Sequence, residues 1–425
     1  MEKQIKSQVV AEQKIIVLLM GLVHSFRNKQ KIKFEEIIRL FSQETNDPIL
    51  GKERKIVWQV IEIIRNLNPQ ISPRLIFTRV ISGVVGILIF NPWDPITDEE
   101  LINLAKEQVK DLLMYSAIRN IDIPIACLAV DGPPFKLGNV EFHSISEIDY
   151  GNGWWDKVKL TYSGKADFEV VTFARVSSPG DEEIALDYAH KKIQETLLIL
   201  RGIGFPITSE EINQFGILNE FLTWANLPIR LNQAEESIRL EGSSTIVTMI
   251  GPPIRIWRIY QDLLDEIDRD ILVRMNQIIS AEDNASTNQM EPKFIGGLRW
   301  LGEATKPDAL PVRYLKLSTA LEYLVGGEPD KDYLTTRGIT ATLAERAAFL
   351  LGTDKSDRMR VDREIRKYYG KRSKIIHGQE DIIDEKDFND FGGLVRQIAF
   401  ALSLNLSQLK TINDLQTWLL SMRYS

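Results

Sequence analysis

The chain has 425 residues, 44% apolar and 26% charged, a globular balance that excludes wholesale disorder. One cysteine, Cys127, excludes a disulfide scaffold and a cysteine-rich zinc site, and fits a reducing cytosol. The formal net charge of −7 argues against a nucleic-acid-binding surface spread over the whole protein, while leaving room for a local basic patch.

At about 150 residues per domain the length predicts three domains, with two also compatible. The longest apolar runs, Ile15 to Val23 and Val80 to Phe90, fall short of the roughly 20 residues a membrane-spanning helix needs. The start, MEKQIKSQVVAEQK, mixes acids with lysines and leads to no small-residue cleavage site, so it reads as no signal peptide. The expectation is a cytoplasmic protein with no membrane partner.

Residues 1–118 read as a helical region. Phe34, Ile37, Ile38 and Phe41 recur at helical spacing, as do Val57, Val60, Ile61, Ile64 and Leu67 before Pro69. Thr97 and Glu100 form a capping-box pattern that opens a helix with Leu101, Leu104, Val109 and Leu112 inward. Residues 119–280 read as an α+β region. Its strands are Ile121 to Val130, Val158 to Tyr162 and Phe168 to Val176, with turns at Gly151-Asn152-Gly153 and Ser163-Gly164. A helix over about 181–201 turns Leu186, Ala189, Ile193, Leu197 and Leu200 inward, and Gly202 stands where a C-terminal cap belongs. Trp257 to Ile279 reads as one long acidic helix, followed by the linker Ala281 to Met290.

Several chemistries have no motif here. There is no GxxxxGK[ST] loop, no GxSxG elbow, no HExxH and no strand–GxGxxG–helix unit. His24, His143, His190 and His377 never reach metal-ligand spacing, so neither a metal nor a cofactor is expected. The acids Asp262, Asp265, Glu266, Asp268 and Asp270 read as a solvated helix face, and Trp154-Trp155 as core packing.

The last region, residues 292–425, reads as an all-α bundle. Its four helices are Leu310 to Val325, Thr340 to Leu351, Asp357 to Ile376 and one capped by Asp384. The first is striped by Tyr314, Leu317, Leu321 and Leu324, and the second by Leu343, Ala347 and Leu350. The fourth is striped by Phe388, Phe391, Val395, Ile398 and Leu402. Short connections favour antiparallel neighbours. Lys355 to Lys374 holds nine basic residues against three acids, a net +6. Such an island reads either as a solvated face or as a phosphate-binding surface, in which case Arg366, Lys367, Lys371 and Lys374 are candidates. On the same helix the apolar stripe Val361, Ile365, Tyr368, Tyr369 runs on into Arg372 and Ile376. An arginine in a buried stripe demands a polar partner, an interface or a cleft. His377, five residues on and just before Gly378, can bond loose helix-end carbonyls or carry chemistry.

The run Tyr369-Gly370-Lys371-Arg372-Ser373-Lys374-Ile375-Ile376-His377-Gly378 resembles the third-helix signature of the Apea-like branch of the HEPN family. RYLKLSTALEYL, Arg313 to Leu324, is similar to that family's first helix, and LAERAAFLL, Leu343 to Leu351, to its second. The resemblance covers about residues 292–410. It implies a helical bundle that pairs as a symmetric homodimer and brings two Arg/His sets to one cleft. It further implies a metal-independent endoribonuclease with RNA as substrate and a setting in prokaryotic defence or toxin-like activity. Arg372 and His377 are then the catalytic pair. Glu322 matches the glutamate of the family's first helix and is expected to orient Arg372, with Tyr369 and Ser373 in support. Many active relatives carry Asn, Asp or His where this chain has Ser373, a weaker polar helper. A non-catalytic HEPN interaction module and a nucleic-acid-binding protein are the alternatives. Residues 1–280 are expected to receive a trigger or regulatory partner, an inference from domain pairing alone.

Overall fold

The computed structural model describes residues 2–27, 51–82, 97–114, 118–144, 172–204, 215–217, 257–259, 269–281, 289–306, 308–326, 338–378 and 383–424. The chain is mostly helical with a small, mainly antiparallel sheet, an α+β fold. It divides into two compact units, Met1–Ile121 with Ser177–Ala189, and Asp122–Val176 with His190–Ser425.

The first unit is built on helices α1 (Glu2–Arg27), α2 (Gly51–Leu67), α3 (Pro73–Ile76, continuing as a π-helical turn over Phe77–Ser82) and α4 (Asp98–Leu113). Helical spacing gathers Ile15, Leu19 and Leu22 of α1, Val57, Val60, Ile61 and Ile64 of α2, and Leu101 and Val109 of α4 into one core. The capping box at Thr97 is formed: Thr97 Oγ1 accepts from the Glu100 N–H at 3.3 Å, and Glu100 Oε2 accepts from the Thr97 N–H at 2.8 Å. Ala105 takes the core position expected of Leu104, which stays half-buried. The buried Asp181 carboxylate accepts from the Ser72 N–H at 2.8 Å and the Ile184 N–H at 3.1 Å, so both its oxygens are used. The expected helix around Phe34 to Phe41 lies outside the described residues.

The five-stranded sheet has the order β3-β4-β5-β1-β6. Its strands are β1 (Ile118–Ala126), β3 (Phe135–Leu137), β4 (Val140–Ser144), β5 (Thr172–Pro179) and β6 (Gly216–Ile217). The expected strand from Ile121 to Val130 is interrupted at Cys127, whose φ is +59°, and resumes as β2 (Leu128–Ala129). β3 and β4 form a hairpin that pairs Leu137 with Val140 across Gly138-Asn139. Gly138, at φ +62°, supplies the positive φ that a type II′ turn puts at its first central residue. Val158 to Tyr162 and the turns at 151–153 and 163–164 lie outside the described residues.

Two sequence expectations in this region are corrected. Trp257–Arg258 is not the start of a long helix but a short strand, β7, parallel to β2; the described helix α6 begins only at Arg269 and ends at Ala281. The physical reason is tertiary: Trp257 and Arg258 pair with Leu128 and Ala129, a partnership that the local sequence does not announce. Helix α5 (Glu182–Ile203) buries Ala185, Ala189, Ile193, Leu197 and Leu200, but Leu186, expected on the same face, is 45% exposed in the first turns of the helix.

Among the described residues the second unit continues with α7 (Met290–Glu303), α8 (Leu310–Val325), α9 (Ile339–Leu351), α10 (Lys355–Ile376), α11 (Glu385–Asn405) and α12 (Ile412–Tyr424). The fully buried Met290 already belongs to α7, so the expected linker does not extend to it. α7 packs on α8, α9 on α10, and α11 runs against α7, α8, α9 and α10. Tyr314, Leu317, Leu321 and Leu324 of α8 are fully buried, as are Phe391, Val395, Ile398 and Leu402 of α11. Each buried leucine contributes about 1.5–3 kcal/mol. Leu350 of α9, expected inside, is only half-buried. Among the described residues no helix is long and apolar enough to cross a membrane.

Candidate functional site

α10 starts where Asp354 accepts the Asp357 N–H at 2.8 Å. It ends on His377, whose N–H donates to the Ser373 carbonyl at 3.1 Å, and on Gly378 at φ +66°. That left-handed residue closes the helix as a C′ glycine does. Val361 and Ile365 are fully buried, and Tyr368 and Tyr369 nearly so. The stripe stops there. Ile376, expected to continue it, is 50% exposed, so Arg372 lies at the margin of the packed helices rather than in their core.

At that margin three side chains from two helices meet. The Tyr369 hydroxyl donates to Glu322 Oε1 at 2.6 Å, and Arg372 Nη2 stands 3.2 Å from the same oxygen. The guanidinium also lies over the Tyr369 ring, 5.3 Å from its centroid. Glu322 reaches this point because α8 holds it one residue beyond the buried Leu321. The Arg372 side chain is 32% exposed, so it is not sealed from solvent. Burial, followed by the Glu322 hydrogen bond and charge, pushes the Tyr369 hydroxyl well above the ordinary phenol range against an opposing pull from Arg372.

His377 is exposed, and among the described residues no side-chain hydrogen bond or ion pair engages its imidazole. Five residues along a helix amount to about 140° of rotation and about 7.5 Å of rise. Arg372 therefore faces the neighbouring helices, while His377 follows the outward side of α10. Ser373 is exposed, and its carbonyl, not its hydroxyl, takes the His377 N–H.

The basic island is largely neutralised by neighbours. Arg366 makes a two-pronged bond to Asp362 at 2.7 and 3.1 Å, and Arg360 binds Asp357 and Glu364. Lys371 contacts Asp387 Oδ2, and Lys367 stands 3.4 Å from Asp387 Oδ1. Lys374 is exposed near the end of the helix. Sequence reasoning missed Asp387, because a partner on a separate helix leaves no spacing signature. It also missed Arg346: buried within α9, this residue donates to the Val325 carbonyl at 2.7 Å and satisfies the end of α8. Its one signal is a lone cation inside the apolar run LAERAAFLL.

The acids Asp262, Asp265, Glu266 and Asp268 and the pair Trp154-Trp155 lie outside the described residues. Among the described residues no group of three or more His, Cys, Asp or Glu side chains is placed to hold a metal ion. Comparison of the chain with family models, with curated proteins and with solved structures finds no match.

Proposed function

We propose that the protein is an endoribonuclease of the HEPN type that cleaves RNA without a metal, with Arg372 and His377 as its catalytic residues. The observation that carries the reading is the Arg372 side chain, held by Glu322 and Tyr369 yet 32% exposed, on the helix that ends in an exposed His377. These are the residues on which the sequence resemblance rests.

The chemistry fits the side chains. Neutral imidazole takes the proton of a ribose 2′-hydroxyl, and the 2′-oxygen attacks the adjacent phosphorus. The bond from phosphorus to the 5′-oxygen breaks, and a protonated imidazole returns a proton to that leaving oxygen. The products are a 2′,3′-cyclic phosphate and a 5′-hydroxyl. The Arg372 guanidinium stabilises charge that builds on the phosphate oxygens, a contribution of about 10²–10³ in rate for a lost donor of this kind. DNA lacks the internal nucleophile and is not cut.

Incubation of the full chain with a mixed RNA pool in EDTA, followed by end-group analysis, tests this. Cyclic phosphate ends that disappear in His377→Ala are expected, whereas RNA left intact by the wild-type protein overturns the reading. A second reading, a non-catalytic HEPN interaction module, draws on the ion pairs already made by Arg372, Arg366 and Lys371. Loss of folding or of self-association in Arg372→Ala favours it; a folded variant that no longer cuts RNA favours the enzyme.

A further inference from the structure

We propose that Asp387 is an internal counter-anion that occupies Lys367 and Lys371 until the phosphates of a bound nucleic acid displace it. The inference rests on the reading of α10 as the helix that faces RNA, and it adds to that reading how the face is held in check.

Arg363, Lys367, Lys371 and Lys374 follow one another at steps of four, four and three residues, which keeps them within about 80° of one another around α10. Their side of the helix is opposite the buried Val361, Ile365 and Tyr369. Arg360 and Arg366 are paired with acids of the same helix at exposed sites, and such pairs are weak and easily exchanged. Asp387 is a different kind of partner. It comes from α11, its side chain is 15% exposed, and it holds two lysines at once. The Asp387 N–H donates to Asp384 Oδ1 at 2.7 Å in the first turn of α11, where the positive end of the helix favours a carboxylate. Burial raises the Asp387 carboxyl, but the two lysines outweigh it and hold the group below its ordinary range.

The exposures separate the two lysines. Lys367 is 57% exposed and is within reach of a ligand, whereas Lys371, at 17%, is largely used up by Asp387. A phosphate oxygen offers an ammonium the same charge as a carboxylate, and the flexible lysine stem allows the exchange. Polyanion binding at this face therefore competes with Asp387. In a chain of net charge −7, that competition keeps the basic stripe from taking up nucleic acid indiscriminately.

The test uses the full chain and a fluorescent oligothymidylate, which lacks a 2′-hydroxyl and cannot be cut by the proposed chemistry. Asp387→Asn is expected to raise affinity on the order of tenfold at low salt and to steepen the log–log salt dependence by about 0.7 for each additional phosphate neutralised. Unchanged affinity and slope overturn the proposal. Adding Lys367→Gln and Lys371→Gln to Asp387→Asn is expected to abolish the increase; an increase that survives shows that lost negative charge alone caused it and overturns the proposal as well. Should Asp387→Asn fail to fold by circular dichroism, Lys371→Gln alone decides: weaker binding and a shallower slope are expected, and binding equal to wild type overturns the idea. Cleavage plays no part in these measurements. A protein whose Asp387→Asn variant binds more tightly but which cuts no RNA sinks the nuclease reading alone. One that cuts RNA with unchanged Asp387→Asn binding sinks this inference alone.

Discussion

The Tyr369 hydroxyl lies at the edge of the packed helices, and Glu322 Oε1 receives both its proton and the Arg372 guanidinium. The protonated phenol is what the fold favours, since burial and the Glu322 carboxylate both disfavour a phenolate. Tyr368, pushed up to about 12 first by burial and then by Asp390, is in the same position. The linkage sign follows. A group whose value is raised by folding stabilises fully below its unfolded value, near pH 10, and that stability drains as pH rises through the folded value. Thermal melts taken from neutral to about pH 12 should therefore show the midpoint falling above about pH 10. Tyr369→Phe keeps the ring under Arg372 but loses a hydrogen bond to a charged group, so at neutral pH it should cost about 1.5–3 kcal/mol and make the alkaline decline shallower. Identical alkaline slopes in the two proteins contradict this assignment. For Arg372 the sequence asked for a polar partner, an interface or a cleft, and only the resemblance pointed to Glu322, because spacing along one helix does not name a partner on another. The pairing of Lys371 with Asp387 was not legible, because it depends on how two separate helices lie against each other.

Close approach of α5 and α7 in the second unit illustrates how a glycine signal can mislead. A Cβ at Gly302 would fall on the Leu198 carbonyl, and one at Gly202 on the Leu298 carbonyl, so the two backbones touch where both side chains are missing. Gly202 is thus inside the last turn of α5 and is not its cap; a glycine near a helix end looks the same in sequence whether it frees a dihedral or admits a neighbour. Gly302→Ala should destabilise by about 1–3 kcal/mol, the cost of overpacking against a rigid backbone. Gly393→Ala, in α11 with nothing within 4 Å of the added methyl, should instead stabilise by about 0.4–1 kcal/mol by restricting the unfolded chain. Urea denaturation of both variants checks the pair, and equal midpoints defeat the distinction. The four helices between Leu310 and Asn405 were legible to within a few residues, because strong 3.6-residue periodicity there is punctuated by Gly326, Gly352 and Asp384, whereas α12 was not singled out from the helical region. Strand β7 was not legible, since two residues pair only by virtue of the distant β2. Nor was the break at Cys127, where the backbone adopts a positive φ that its sequence does not announce.

At the scale of the whole molecule, the orientation of α10 sets a condition on the proposed nuclease. Arg372 turns toward α8 and His377 toward solvent, about 140° apart around one helix. Groups so divided face different ways on a single chain, and a two-fold pairing in which a second copy supplies the other member is the arrangement the nuclease reading predicts. Symmetry makes this testable by mixing. In a two-fold dimer with shared sites, a hybrid of one Arg372→Ala copy and one His377→Ala copy contains one site with both lesions and one with neither. Each variant alone should be inactive, and an equimolar mixture allowed to exchange should recover about a quarter of the wild-type sites, given random pairing. Activity of the wild-type protein should also fall on dilution below the dimer dissociation constant. If the mixture stays as inactive as its components while size-exclusion chromatography shows hybrid dimers, Arg372 and His377 do not act across a two-fold axis. The catalytic proposal then loses the arrangement it predicts.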